Sequence, residues 1–134
     1  MSLISDEQRL DSIVALTAEF RYRLCWMGAR SLLRKRGIDP MRVLQLSCDQ
    51  GSDVNTSLML PDGLLVNVDF NQDPSTRELV SIHEWEVTEW CDHRVEMARQ
   101  IVTSSDTEDF DRRVEQYFLV QWRGKDAPLP LDRD

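Results

Sequence analysis

Apolar residues in the first part of the chain, Leu10, Ile13, Val14, Phe20, Leu24 and Met27, follow helical spacing, with Ile13 and Val14 three and four residues after Leu10, and Leu24 and Met27 at further steps of four and three after Phe20. An α-helix needs that period to gather its apolar side chains on one stripe. Ser5 is placed to cap it, with Gln8 three residues on to complete a capping box and Asp6 and Glu7 in the first turn. Arg34, Lys35 and Arg36 followed by Gly37, with Pro40 beyond, form a stop signal. An unbroken helix over 6–36 would be about 46 Å long, against a radius of gyration of about 14 Å for a compact chain of this length. The helix must therefore break, near Thr17 or Gly28, or project from the body.

The period then shortens to two. Val54, Thr56, Leu58 and Leu60 share one face of a strand, Pro61-Asp62-Gly63 reads as a three-residue hairpin loop, and Leu64, Val66, Val68 and Phe70 alternate with Leu65, Asn67 and Asp69 on the way back. A turn over 71–76 leads to a third strand over 78–87, with Val80 and Ile82 on one side and His83, Trp85 and Val87 on the other. Residues 41–47 fit a strand, or a short helix capped by Asp39 with Pro40 at its first position; the strand is preferred. Helical spacing returns at the end. Thr88 would cap a helix with Cys91, Val95, Ala98 and Val102 on its stripe, and Ser105 with Glu108 would open another carrying Phe110, Val114, Tyr117, Phe118 and Trp122, closed by Gly124. Strands grouped between helices predict an α+β fold: an N-terminal helix, broken or projecting, a three- to four-stranded antiparallel meander and two C-terminal helices, all on one face of the sheet. One domain over 1–125 with a polar tail over 126–134 is expected.

Composition adds exclusions. With 134 residues, 41% hydrophobic and 30% charged, the chain is an ordinary globular one. Its longest apolar runs, such as Leu64-Leu65-Val66, fall far short of the roughly 20 residues of a membrane span. The start, Met1-Ser2-Leu3-Ile4-Ser5, has no secretory pattern. Cys25, Cys48 and Cys91 are far apart and lack C-x-x-C spacing, so a reduced, cytoplasmic setting is expected. The net charge of −8 argues against nucleic acid and anionic membranes as partners and suits a basic protein partner. One segment departs from this balance: over 21–42, seven basic residues stand against Asp39 alone. Such a segment either packs on the chain's own acidic body or marks a binding face.

Little in the sequence points to catalysis. There is no phosphate-binding Gly-rich loop and no G-x-S-x-G elbow. Asp69-Phe70-Asn71-Gln72-Asp73 opens like a calcium loop, but Pro74 stands where the loop needs Gly and Val80 where it needs Glu, so turn formation is the better account. Glu89 and His93 would share a helix face, without a third metal ligand at a diagnostic spacing. No catalytic residue, metal or cofactor is therefore assigned.

The binding signals are stronger. On a helical projection the apolar residues of 20–36 nearly encircle the axis and leave a narrow strip of Arg23, Arg30 and Arg34. Such a helix is buried on several sides, and a second chain is one source of that cover. Trp85 and Trp90 stand among Glu84, Glu86 and Glu89, and tryptophan is enriched at binding hot spots. The expected partner-binding residues are Arg23, Leu24, Trp26, Met27, Arg30, Arg34, Trp85 and Trp90. The expected function is that of a small acidic protein, not an enzyme, that binds another protein, a homodimer being one form of this. In size, acidity and α+β make-up the chain is similar to two kinds of bacterial protein, secretion chaperones that wrap an effector and immunity or inhibitor proteins that block a toxin. That likeness is one of bulk properties and transfers no residue. The alternatives are a nucleic-acid contact through the arginine strip and an enzyme with an unrecognised site.

Overall fold

The computed structural model describes residues 4–50 and 53–122. The elements are α1 (Asp6–Tyr22), α2 (Met27–Lys35), β1 (Leu44–Gln50), β2 (Asp53–Met59), β3 (Leu65–Gln72), β4 (Leu79–Thr88), α3 (His93–Thr103) and α4 (Glu108–Trp122). The strands form one antiparallel sheet in the order β1-β2-β3-β4. The fold is α+β, as the periods predicted. The expected tail over 126–134 lies outside the described residues.

Alternation in the strands sets the two sheet faces. Residues directly opposite one another on neighbouring strands share a face. Val54 opposes Phe70, Thr56 opposes Val68 and Leu58 opposes Val66. These residues form one core with Ala29 and Leu33 of α2 and with Phe20 and Trp26. On the reverse face, Leu44 opposes Met59 and Met59 opposes Leu65. That row packs with Ile13, Val14 and Ala18 of α1, Val95, Ala98 and Val102 of α3, and Phe110, Val114 and Phe118 of α4. The helices thus cover opposite faces of the sheet, which corrects the expectation that all lie on one. Beyond that row the second face is polar, with side-chain hydrogen bonds linking Ser57 to Asn67, Asn71 to Ser81 and Asn55 to Asp69.

The long first helix does break, but at Arg23 rather than at Thr17 or Gly28. Leu24–Trp26 is a single 3₁₀ turn between α1 and α2. A helix that stops leaves its last carbonyls without partners. The Arg30 side chain, wholly buried, turns back and donates from Nη1 to the Phe20 carbonyl at 2.8 Å and the Arg23 carbonyl at 2.9 Å. α2 then closes as expected at Gly37, with Gly37 N–H on the Arg34 carbonyl and Ile38 N–H on the Leu33 carbonyl. Both readings of 41–47 hold in part: Pro40–Arg42 is one 3₁₀ turn capped by the Asp39 carboxylate, and the strand starts at Leu44.

Three further differences follow from strand register and capping. Asp69 opposes Glu84 and Phe70 opposes Ile82, so His83 is an extra residue in β4. This bulge puts Ile82 on the same face as Trp85 and Val87, where strict alternation had separated them. β4 pairs as far as Thr88, opposite Leu65, so α3 starts later than predicted, at His93, with Asp92 as its cap. Cys91 is therefore exposed outside the helix instead of on its stripe, and Thr88 accepts from the Trp90 amide in a turn. At α4 the Glu108 amide is taken by the Asp106 carboxylate rather than by Ser105. The Pro61-Asp62-Gly63 loop is as read, with Gly63 at φ +90°.

Candidate functional site

The arginine-rich segment is largely spent inside the molecule. Arg21 is buried, and its guanidinium joins the Asp111 carboxylate of α4 at 2.7 Å and the Val43 carbonyl at 3.2 Å. Arg23 is half-buried and pairs with Glu19 at 3.2 Å. Arg30 holds the α1–α2 joint from within the core. Arg36 lies over the ring of Trp85, 4.4 Å from its centre. Arg23, Arg30 and Arg34 therefore do not form an exposed strip, because its middle member is buried.

The other expected binding residues divide in the same way. Trp26 is a core residue, 3% exposed, packed against Phe20 at 5.3 Å and Phe70 at 6.3 Å between ring centres. Leu24 and Met27 are surface residues, 54% and 44% exposed, the first opening the 3₁₀ turn and the second following it. Trp85 is half-buried, while Trp90 is 50% exposed. These groups sit at opposite ends of α2. Its Gly28 touches the first residue of β4, where an added Cβ would lie 2.2 Å from the Leu79 carbonyl oxygen, and Arg36 just beyond its other end covers Trp85. They do not form a single patch.

The sequence reading missed a groove of about 580 Å³ between α1, α3 and the start of α4. Leu10, Met97, Ile101 and Phe110 make its apolar floor. Asp6, Glu7, Asp106 and Asp109 stand on its rim, with Arg113 as the one lining side chain of a permanently cationic type. Arg113 is bound to Asp11 at 2.7 Å. Asp6 is paired with Arg9 at 3.0 Å and His93 at 2.7 Å, and Asp109 with Arg112 at 3.0 Å. Among the described residues, Glu7 and Asp106 have no ion pair, so the rim keeps excess negative charge. Three separate segments build this groove; Leu10 and Phe110 read in sequence as ordinary helix-stripe residues, while Met97 and Ile101 lie off the Val95, Ala98 and Val102 stripe.

The groups capable of chemistry are dispersed. Glu89 precedes α3 and His93 begins it, so the two do not share a helix face as expected. Among the described residues no three His, Cys, Asp or Glu side chains come together in a metal-holding arrangement. Burial pushes the Cys25 and Cys48 thiols up from their ordinary range, which disfavours the reactive thiolate. Asp73 accepts from the Ser75 hydroxyl and from the Ser75 and Thr76 amides, which together hold its carboxyl below the usual aspartate value. That turn also seats Arg77 at φ 62°. Of the calcium-like residues, Asp69 to Gln72 are strand residues of β3 and only Asp73 serves the β3–β4 connection, which corrects the expectation that the set forms a turn.

The fold so defined is an α+β domain with helices on both faces of a four-stranded meander. No family model, curated protein or solved structure matches the chain. No helix among the described residues is long and apolar enough to cross a membrane.

Proposed function

We propose that this protein acts by binding another protein rather than by catalysis, and that the groove between α1, α3 and α4 receives an amphipathic helical segment of a basic partner. The observation that carries this reading is an apolar floor of Leu10, Met97, Ile101 and Phe110 under a rim on which, among the described residues, Glu7 and Asp106 have no ion pair. Helix-in-groove recognition buries an apolar stripe, and the flanking charges set orientation and speed of encounter. The net charge of −8 supports a basic partner. The burial of Arg30 supports a protein target over a phosphate backbone, because it removes the centre of the only arginine strip the sequence suggested. A cytoplasmic setting belongs to the same reading.

The probe is a lysine–leucine peptide with leucines three and four residues apart, titrated into the isotope-labelled protein. The expected shifts fall on Leu10, Met97, Ile101 and Phe110. Ile101→Glu and Met97→Glu should each weaken binding about tenfold or more, the scale of one lost apolar contact. Undiminished binding by both folded variants would refute the reading. The peptide also separates the chaperone-like form of the proposal from the inhibitor-like form. An unfolded client offers an isolated segment, so a chaperone-like protein binds the peptide itself; an inhibitor-like protein requires the folded target around it.

A further inference from the structure

The sheet has two edges, and they are treated differently. β1 is closed by α1: the Gln45 amide, which no strand takes, donates to the Thr17 hydroxyl at 3.1 Å in the core. At the other edge, α2 meets the start of β4, where Gly28 lies against Leu79, and Arg36 beyond its end lies over the face of Trp85. β4 pairs with β3 on one side alone, and among the described residues Ile82 to Val87 make no backbone hydrogen bond outside that ladder. Unpaired strand edges recruit other strands, and proteins ordinarily blunt them.

The side chains of this open stretch are sorted by face. Glu84 and Glu86 lie on the polar face, opposite Asp69 and Asn67. Trp85 and Val87 lie on the other, opposite Val68 and Val66. Val87 is 52% exposed, and Trp90 stands exposed just beyond the strand. On the apolar side Arg36 lies over the Trp85 ring. A second copy of β4 added to this edge would bring the same glutamates together on one face, and like charges in cross-strand positions repel. A strand with basic residues on that face meets attraction instead.

We infer that the 82–87 edge of β4 is a second binding site, distinct from the groove in residues and in mode, that accepts an extended segment as a fifth strand. The segment alternates basic and apolar residues: the basic ones lie beside Glu84 and Glu86, the apolar ones beside Trp85 and Val87. Main-chain hydrogen bonds supply affinity and the alternating side chains supply selectivity.

The test uses a peptide alternating lysine and valine, the same peptide N-methylated at alternate amides, and a glutamate–valine counterpart, each added to the full chain and read by amide shifts and hydrogen exchange. The expected result is binding of the lysine peptide alone, with slowed exchange confined to outward amides between Ile82 and Val87. The paired substitutions Glu84→Lys and Glu86→Lys, both at exposed positions, should weaken that binding about tenfold or more and admit the glutamate peptide. Equal binding of the N-methylated peptide would overturn strand addition, as would an unchanged affinity in the folded charge-reversed variant. Shifts confined to Leu10, Met97 and Ile101 would also overturn it, while leaving the groove reading in place.

Discussion

Replacing Arg30 by Met tests how the α1–α2 joint is held. The guanidinium is fully buried and donates to the Phe20 carbonyl near the end of α1, at 2.8 Å, and to the Arg23 carbonyl, at 2.9 Å, which also accepts from the Trp26 amide. Hydrogen bonds from a charged donor contribute about 1.5–3 kcal/mol each, so their loss costs about 3–6 kcal/mol. Met offsets part of this, because an apolar chain of similar length no longer has to be stripped of water as a charge is. A net destabilisation of about 3 kcal/mol remains, which for a chain of this size lowers Tm by about 10 °C. Urea unfolding followed by far-UV circular dichroism gives the free energy, and tryptophan fluorescence reports on Trp26, which packs beside the joint against Phe20. Arg30→Lys should fall between the two, since an ammonium donates but lacks the planar fork. If Arg30→Met unfolds within about 1 kcal/mol of the parent with an unchanged denaturant slope, the two carbonyls do not depend on Arg30 and the account of the break is wrong.

Other substitutions give similarly bounded outcomes. Gly28→Ala places a methyl 2.2 Å from the Leu79 carbonyl oxygen, a backbone atom, and should cost about 1–3 kcal/mol by forcing α2 off β4; thermal melts check this, and unchanged stability would mean the approach is not tight. Thr17→Val keeps the shape but strands the buried Gln45 amide, for about 1–3 kcal/mol, while Thr17→Ser should restore most of the loss in urea titrations. The Asp73 carboxyl is held below its ordinary value, so its contribution to stability is present above the unfolded-state pKa and disappears as pH falls through the folded one. Asp73→Ala should therefore be less stable than the parent near pH 7, with the gap narrowing as pH falls, in melts run from neutral to acid pH. Cys48, half-buried in the sheet, should alkylate more slowly than the same thiol in urea at pH 8, because burial disfavours its thiolate.

The sequence made the elements legible wherever one period governed a whole segment. The β2–β3 hairpin was readable because Pro61, Asp62 and Gly63 encode their turn locally. The Ser5 cap was readable for the same reason, and both halves of its box form. What stayed hidden depended on residues distant in sequence. Arg23 carries no helix-breaking signal; the break there is supported by Arg30 reaching back across the joint. His83 looks like any strand residue, and only the register against β3 makes it a bulge. Thr88 is a good cap by type, yet pairing with Leu65 keeps it in the sheet. Of the expected binding residues, Trp26 and Arg30 went to the core because apolar and basic side chains on an encircled helix are as useful for packing as for partners. The groove was invisible because its floor comes from three segments, each with an unremarkable apolar stripe.

The tie between Arg21 and Asp111 bears on how the chain comes to be folded as it is made. The two partners are 90 residues apart in sequence, and beside them Tyr22 stacks on Phe118 at 4.9 Å. α1 is synthesised early, but α4, which completes its cover, comes after every strand. At about 5–20 residues per second, α1 waits on the order of 10 s for that partner. During that interval Ile13, Val14, Ala18 and Tyr22 lack the part of their cover that α4 supplies, and the Arg21 guanidinium lacks its counter-ion. The first helix of this protein is thus a nascent-chain liability, open to premature capture by other apolar surfaces until the last helix arrives.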